Sequence, residues 1–586
     1  MRNQQADGMT SPFTFVPTAQ QAKIIGHEGS AFIEACPGAG KTRVMVERAR
    51  RLCASNALTF GQGVAFLSFT RAAVSELAAR LEAEGVIGHP TYPHFIGTFD
   101  SFVWQFFIAP FGIPGVAALP RLLPDKEKLL ISPKIGLRSL ALECFDRDTG
   151  YAIEGKLAEA GFKGYVKGYE TTARKIRERF LAKAELDYED ARRFAVMRLR
   201  QSDGATALIE ALRARFVEII IDEAQDCNPV DLEIAAWLRA GGLPTKVICD
   251  PNQAIYGFRG GVGEELRAFA GTFPPQSRLP VSGNFRSGRN IAKAISAMRE
   301  PEVRGEVDDA LGDHRDEPTP VHLLAFKGHS APASVGREFE ALTASLSLVP
   351  EECPVVGSTL NSARRACGQP ADEPAGALSY RLAVCVETYH RAVDMRIKLD
   401  ALEGFYRITM ELSGALDGVT FHQHLIELGT EVDQWRPSAI ALLHALEFQE
   451  ERHTSAEKWL CEAREILKPL LPIGSSSISQ KLQNRKELSS VFSEGEASKH
   501  PPRTIHSVKG MEFDAVCVVL ATKTAKGIVD RLIGAGDARS SESARKLYVG
   551  ASRARRLLAI AVPDSQAKRL YALLSATGAS VLLSEV

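Results

Sequence analysis

The chain lacks several features that would have narrowed its function at once. None of its 10 cysteines falls in a C-x-x-C pair, so neither a zinc nor an iron–sulfur site is supported, and free thiols in a reducing cytoplasm are the expectation. No uninterrupted apolar stretch is long enough to span a bilayer, and the opening Met1-Arg2-Asn3-Gln4-Gln5 has no apolar signal core. Charge of one sign is not in excess either: 71 Lys and Arg balance 71 Asp and Glu. A neutral total gives no bulk attraction to nucleic acid or membrane, so nucleic-acid binding would have to come from a local groove and from stacking. Fixed-period repeats and extended low-complexity tracts are also missing. The remaining composition, 45% hydrophobic and 24% charged over 586 residues, is that of an ordinary globular chain of several domains, about four by length.

What is present is centred on Ile219-Ile220-Ile221-Asp222-Glu223-Ala224-Gln225-Asp226. Val217 and the three isoleucines read as a strand covered on both faces. Two adjacent acids follow, at the edge where open parallel sheets hold their ligands. By itself the run reads as a buried strand and a charged turn. A phosphate cradle elsewhere in the chain changes that weight.

The cradle is upstream. A strand-like Ala31–Ala35 leads into Cys36-Pro37-Gly38-Ala39-Gly40-Lys41-Thr42 and a helix-like Arg43–Arg48. This is a phosphate loop with Ala35 in place of the first glycine. Gly38 and Gly40 let backbone N–H groups turn inward, Lys41 reaches the β/γ oxygens, and the Thr42 hydroxyl ligands magnesium. Before it, Thr18 is placed to cap a helix that carries Gln21 on its first turn. After it come the strand Val64–Thr70 and a third run of the same form, Phe95–Phe102, and then helical text from about 121 to 212 with a basic helix near 171–179. The strand Lys246–Cys249 ends in Asp250-Pro251-Asn252-Gln253-Ala254-Ile255-Tyr256-Gly257-Phe258-Arg259. Aromatics on so irregular a segment are better placed to stack on bases than to fill a core. Further α/β text starts near Pro280, is interrupted by helical text over 374–471, and resumes at Thr504.

In this order the segments resemble the UvrD/Rep/PcrA group of superfamily 1 DNA helicases. The resemblance rests on the phosphate loop, Leu67-Ser68-Phe69-Thr70, Gly97-Thr98-Phe99, Asp222–Asp226, Gln253-Ala254-Ile255-Tyr256, Asn284-Phe285-Arg286-Ser287, His506–Phe513 and Tyr548-Val549-Gly550 through Arg553. It runs from Pro17 to about Leu558, strong in the two α/β blocks and without motifs in the helical insertions. It implies an α/β fold of two RecA-like parallel-sheet P-loop domains, each with a mainly helical insertion. The first domain would comprise 1–110 and 205–278 around an insertion at 111–204. The second would comprise 279–373 and 496–586 around an insertion at 374–495.

The resemblance also implies roles. ATP and Mg2+ are the expected cofactors. Gln21 would read adenine, with Phe285 and Arg43 packing on it, and Ala35 to Thr42 would hold the phosphates. Thr42 and Asp222 would serve the metal, and Glu223 would be the general base. Gln253 would couple the γ-phosphate to the DNA groove. Arg286 and Arg553 would reach the phosphate from the second block, and Glu512 would touch ribose. Phe69, Tyr256 and Phe258 would stack on bases, while Thr70 and Thr98 would contact the DNA backbone. The implied activity is an ATP-dependent 3′→5′ helicase or translocase on single-stranded or 3′-tailed DNA, in repair or replication. Asp100, Cys249 and Ala254 depart from the group's usual histidine, glycine and serine without removing a catalytic group, and the second insertion is shorter than in full-length relatives. Gly97–Val103 and Ile108–Phe111 resemble compact relatives in anti-phage systems such as Gabija. That leaves open a DNA-stimulated ATPase sensor serving a partner nuclease, and a third reading is an RNA helicase.

Overall fold

The computed structural model describes residues 15–54, 58–134, 137–255, 263–369, 377–392, 395–416, 432–449, 451–472, 474, 476–485, 488–492, 498–537 and 540–586. The chain divides into two compact units, one of residues 1–102 and 196–318, the other of 103–195 and 319–586.

The first unit is built on six strands: β1 (Ala31–Ala35), β2 (Gly63–Ser68), β3 (Phe95–Thr98), β4 (Phe216–Ile221), β5 (Thr245–Cys249) and β6 (Arg278–Val281). They form one parallel sheet in the order β6-β1-β5-β4-β2-β3. The isoleucine run is the reason β4 lies inside: Ile219, Ile220 and Ile221 are all at most 2% exposed. Burying a side chain of that size is worth about 1.5–3 kcal/mol. Because every strand runs the same way, the C-terminal ends of β1, β2, β3, β4 and β5 share one edge, and the loops that leave them meet there.

Helix α1 (Ala19–Gly26) opens with a capping box in which Thr18 and Gln21 bond each other's backbone N–H. Helix α2 (Lys41–Ala54) follows β1 and is pinned to the sheet by a buried ion pair. Arg48 donates to both oxygens of Glu218 on β4, at 2.9 and 2.7 Å, with both side chains at most 3% exposed. Lys246 on β5 lies 3.7 Å from the same carboxylate and donates to the carbonyls of His27 and Gly29. Burial pushes the Lys246 ammonium down to about 8 despite Glu218 beside it.

A second six-stranded parallel sheet organises the other unit. Its strands are β7 (Val321–Phe326), β8 (Val355–Gly357), β9 (Pro502–Thr504), β10 (Phe513–Val519), β11 (Ala554–Pro563) and β12 (Val581–Glu585), in the order β9-β8-β10-β11-β7-β12. Between β8 and β9 the chain makes helices over Leu378–Arg391, Met395–Leu412, Val432–Ala445 and Ala456–Leu467. They enclose a core of their own that includes Leu382, Phe405, Leu443 and Trp459. Between residues 103 and 195 the helices are accompanied by two-residue strand pairings, Arg121–Leu122 with Glu185–Leu186 and Leu130–Ile131 with Leu140–Ala141.

The two sheets with their covering helices are the expected pair of RecA-like α/β domains. The boundary expected between 278 and 279, however, falls inside β6, which completes the edge of the first sheet beside β1. Pro280 does not open a new block. It sits in an edge strand, where its missing N–H leaves no ladder bond unmade. Residues up to Pro318 accordingly cluster with the first unit.

Candidate functional site

The loop after β1 turns on two glycines in left-handed backbone, Gly38 at φ 72° and Gly40 at φ 77°. Space is short for a side chain as well, above all at Gly38. A Cβ on Gly38 would stand 2.5 Å from the Asn284 carboxamide oxygen and 2.9 Å from Arg286 Cβ, and one on Gly40 would meet Gln21 Nε2 at 3.1 Å. Ala39 N–H bonds the Cys36 carbonyl, and Cys36 N–H bonds Val281 on β6. The loop is thereby closed before α2 begins at Lys41, and the first turn of that helix lends its dipole and amides to any anion held there. Ala35 and Ala39 are buried, so the alanine at the expected first-glycine position sits inside β1. Cys36 donates to the Gly283 carbonyl at 3.5 Å, and burial pushes its thiol well up.

Asp222 and Glu223 leave the end of β4, on the strand next but one to β1. Asp222 is 8% exposed, and its Oδ1 is buried with no hydrogen-bond partner. Burial, reinforced by the neighbouring Glu223 carboxylate and opposed by Lys41, raises the Asp222 carboxyl to about 7. Glu223 is in left-handed backbone at φ 56°, a conformation costing a non-glycine residue on the order of 1–2 kcal/mol. That turn brings its side chain back to the loop, with Lys41 Nζ 3.4 Å from Oε1. An orphaned carboxylate oxygen of Asp222 and the Thr42 hydroxyl are hard oxygen donors of the kind magnesium takes, so the residues present fit that ion.

The second Glu223 oxygen accepts from Gln225 Nε2. Gln225 Oε1 in turn accepts from the backbone N–H of Asp250, at the end of β5, at 3.0 Å. Asp250 receives Asn252 N–H on one carboxylate oxygen and Gln253 Nε2, at 2.9 Å, on the other. Lys41, Glu223, Gln225, Asp250 and Gln253 therefore form a continuous polar chain across three adjacent strands.

Other expected nucleotide contacts are placed as follows. Gln21 is 1% exposed, with its Oε1 on Thr18 N–H and its Nε2 donating to Ala39 O at 3.0 Å. It thus braces the phosphate loop. Arg43 pairs with Glu84 and Glu47 at 2.6 and 3.0 Å and lies over the Phe15 ring. Phe285 is half-buried and gives its N–H to the Gly38 carbonyl at 2.8 Å. Asn284 Oδ1 caps the N–H groups of Arg286 and Ser287 at 2.8 Å each, which packs this turn onto the loop. Arg286, expected from the second block, is therefore carried by the first unit.

On the expected DNA side, the register Ser68↔Thr98 sets Phe69-Thr70 beside Thr98-Phe99 at the ends of neighbouring strands. Phe69 is half-buried and stacks on the buried Phe99 at 5.5 Å and 13°. Thr70 caps helix α3 (Arg71–Ala83) by accepting Ala73 N–H. The Thr98 hydroxyl accepts from Ser101 N–H and donates to Ser101 Oγ. Tyr256 and Phe258 lie outside the described residues. Within the second unit, Arg553 is 3% exposed and bonds Val549 O and Ser552 Oγ. Glu512 accepts from Arg555 at 2.9 Å on the wall of a cleft of about 380 Å³ that Arg503 and Asp514 also line.

A family description for the UvrD/REP helicase N-terminal domain matches residues 17–109 and 153–274, and one for the UvrD-like helicase C-terminal domain matches 475–565. The chain belongs to the UvrD/Rep helicase family. It is 25% identical to ATP-dependent DNA helicase UvrD1 of Mycobacterium tuberculosis over 377 residues, 59% of this chain and 47% of that protein. It is 24% identical to Escherichia coli DNA helicase II over 295 residues, 48% and 40% of the two chains. With M. tuberculosis UvrD2 it is 25% identical over 590 aligned positions, 92% of this chain and 77% of that one. The match thus spans about half or less of the first two relatives and most of the third.

For this UvrD/Rep-family chain, motif reading did not single out Asp250 or Asn284 as site residues. Asp250 was visible as a second acid at the tip of a strand beside β4, the same signal that marked Asp222. The role of Asn284 depends on β6 joining the first sheet, which its own segment does not announce. Among the described residues no helix is long and apolar enough to cross a membrane.

Proposed function

We propose that the chain is an ATP-driven motor on single-stranded DNA that moves 3′→5′, unwinds 3′-tailed duplex, and hydrolyses ATP to ADP and phosphate with magnesium. One observation carries this reading. The glycine cradle, the Asp222–Glu223 pair and the Phe69–Thr98 cluster occupy one edge of a single parallel sheet, with strands about 4.8 Å apart. Asp222 N–H bonds Leu67 O on β2, so the catalytic acids and the candidate base-stacking ring leave adjacent strands. Family membership supports ATP and DNA as ligands, and the motif resemblance supports the polarity.

Magnesium, when bound, would supply charge neutralisation at the phosphates, held by Thr42 and Asp222. Lys41 would exchange its contact with Glu223 for phosphate oxygens. Glu223 would then take the proton of a water whose oxygen bonds the γ-phosphorus as ADP leaves. Arg286, already packed on the loop through Asn284, would stabilise charge on the transferring group. Phe69, stacked on Phe99, would offer a π-face to an unpaired base.

The deciding experiment measures ATP hydrolysis with and without DNA and RNA oligonucleotides, alongside displacement of 3′-tailed and 5′-tailed duplexes. Stimulation by single-stranded DNA with displacement of only the 3′-tailed duplex is the expected result. Displacement from 5′ tails overturns the polarity, preferential stimulation by RNA overturns the substrate, and stimulation without displacement favours the sensor of a partner nuclease over a helicase.

A further inference from the structure

We propose that Gln225 is a positioning residue that holds the Glu223 carboxylate and ties its orientation to the Asp250–Gln253 turn, so that DNA acts on hydrolysis through this amide. The inference rests on the ATPase reading of the site.

Three observations carry it. Gln225 is 5% exposed, and its two amide ends are committed in opposite senses: the nitrogen donates to a carboxylate and the oxygen accepts a backbone N–H. Turning the amide over would set oxygen against carboxylate and N–H against N–H, so only one orientation is compatible with both partners. Next, Glu223 sits in left-handed backbone at the head of the short turn Glu223–Asp226 that carries Gln225. Lys41 and Gln225 both contact the Glu223 carboxylate, and the Lys41 ammonium is a point charge that phosphate oxygens would compete for. Gln225 is anchored to the sheet and stays. Lastly, Asp250 is fixed to Gln253 twice, by Gln253 Nε2 on its carboxylate and by Gln253 N–H on its carbonyl. A shift of Gln253 therefore shifts the N–H on which the Gln225 oxygen rests, and with it the nitrogen that holds the general base.

Geometry of this kind changes turnover rather than affinity, because the Gln225 amide bonds Glu223 and Asp250 rather than the phosphate-loop backbone or the Phe69 cluster. Three substitutions separate its two halves. Gln225→Met has nearly the same shape with neither bond. Gln225→Glu keeps an acceptor for Asp250 N–H but faces Glu223 with like charge. Gln225→Lys keeps a donor for Glu223 and gives up Asp250.

The experiment reads kcat and KM for ATP with and without a single-stranded DNA oligonucleotide, DNA affinity by fluorescence anisotropy, and melting to check the fold. For Gln225→Met a fall of about 10–100-fold in DNA-stimulated kcat is expected, with KM and DNA affinity within about 3-fold. Basal kcat should fall further in Gln225→Glu than in Gln225→Lys, while both lose stimulation by DNA. Unchanged kcat and stimulation in Gln225→Met overturn the proposal, as does a parallel loss of KM, DNA affinity and melting temperature. Should Gln225→Met fail to fold, the ordering of the Glu and Lys variants decides. A wild-type chain that hydrolyses ATP without any response to DNA refutes the motor reading, and the basal ordering of the variants still tests the hold on Glu223.

Discussion

Replacing Asp222 by asparagine should stabilise the nucleotide-free protein while destroying its activity. The carboxyl is raised from 3.8 to about 7 by burial and by Glu223, a gap of about three units at about 1.36 kcal/mol each, or roughly 4 kcal/mol as a ceiling. The sign follows from linkage. A carboxyl whose folded value lies above its unfolded value binds protons more tightly when folded, so stability is full below about pH 4 and is lost as pH rises towards 7. Asparagine is neutral at every pH and avoids that loss. Its amide must still be buried beside an unpartnered position, which offsets part of the gain, so about 2 kcal/mol is expected at pH 8 in EDTA. For a unit of roughly 200 residues that is about 4–8 °C in melting temperature. The assay is thermal melting of wild type and Asp222→Asn from pH 5.5 to 8. The difference should widen with pH, most of it appearing between pH 5.5 and 7.5. A difference that is constant across that range, or a variant less stable than wild type at pH 8, would refute the burial argument.

Glu223→Gln should abolish turnover in a hydrolysis assay while a fluorescent ATP analogue still binds, and a rate near wild type would remove Glu223 from the role of base. Lys41→Ala should abolish both binding and turnover. Glu218→Gln leaves Arg48, and the Lys246 ammonium beside it, without their buried counter-charge. A loss of about 3–5 kcal/mol in denaturant unfolding of the first unit is expected, whereas a loss under 1 kcal/mol would mean that water reaches the cluster. Trp459, 1% exposed, donates to Leu446 O at 2.7 Å in the helical core of the second unit, so Trp459→Ala should cost about 3–5 kcal/mol there and leave ATP affinity unchanged.

The parts of this fold that could be read directly were those in which local chemistry and tertiary role coincide. Ile219–Ile221 could hardly be anything but an inner strand, and Gly38 and Gly40 take the left-handed backbone that a phosphate loop requires. Thr18 and Gln21 form the expected cap, yet the pattern held no sign that the Gln21 amide crosses to Ala39. Spacing defines a residue's neighbours on its own element and says nothing of a partner that only the fold brings near. Arg286 shows the cost of that blindness. The α/β text that starts near Pro280 reads as the opening of the second block, and with it Asn284-Phe285-Arg286. An edge strand tolerates proline, so β6 joins β1 and carries Arg286 onto the phosphate loop. The polar chain from Lys41 to Gln253 follows the same logic one step further. Its members follow β1, β4 and β5, which are scattered in sequence but adjacent in the sheet, and the bond from Gln225 to Asp250 needs β5 beside β4. A sheet in which β5 did not lie beside β4 would keep every motif and lose the path from Glu223 to Gln253. Strand order, more than any single motif, is therefore what would let the Asp250–Gln253 turn influence the Glu223 carboxylate.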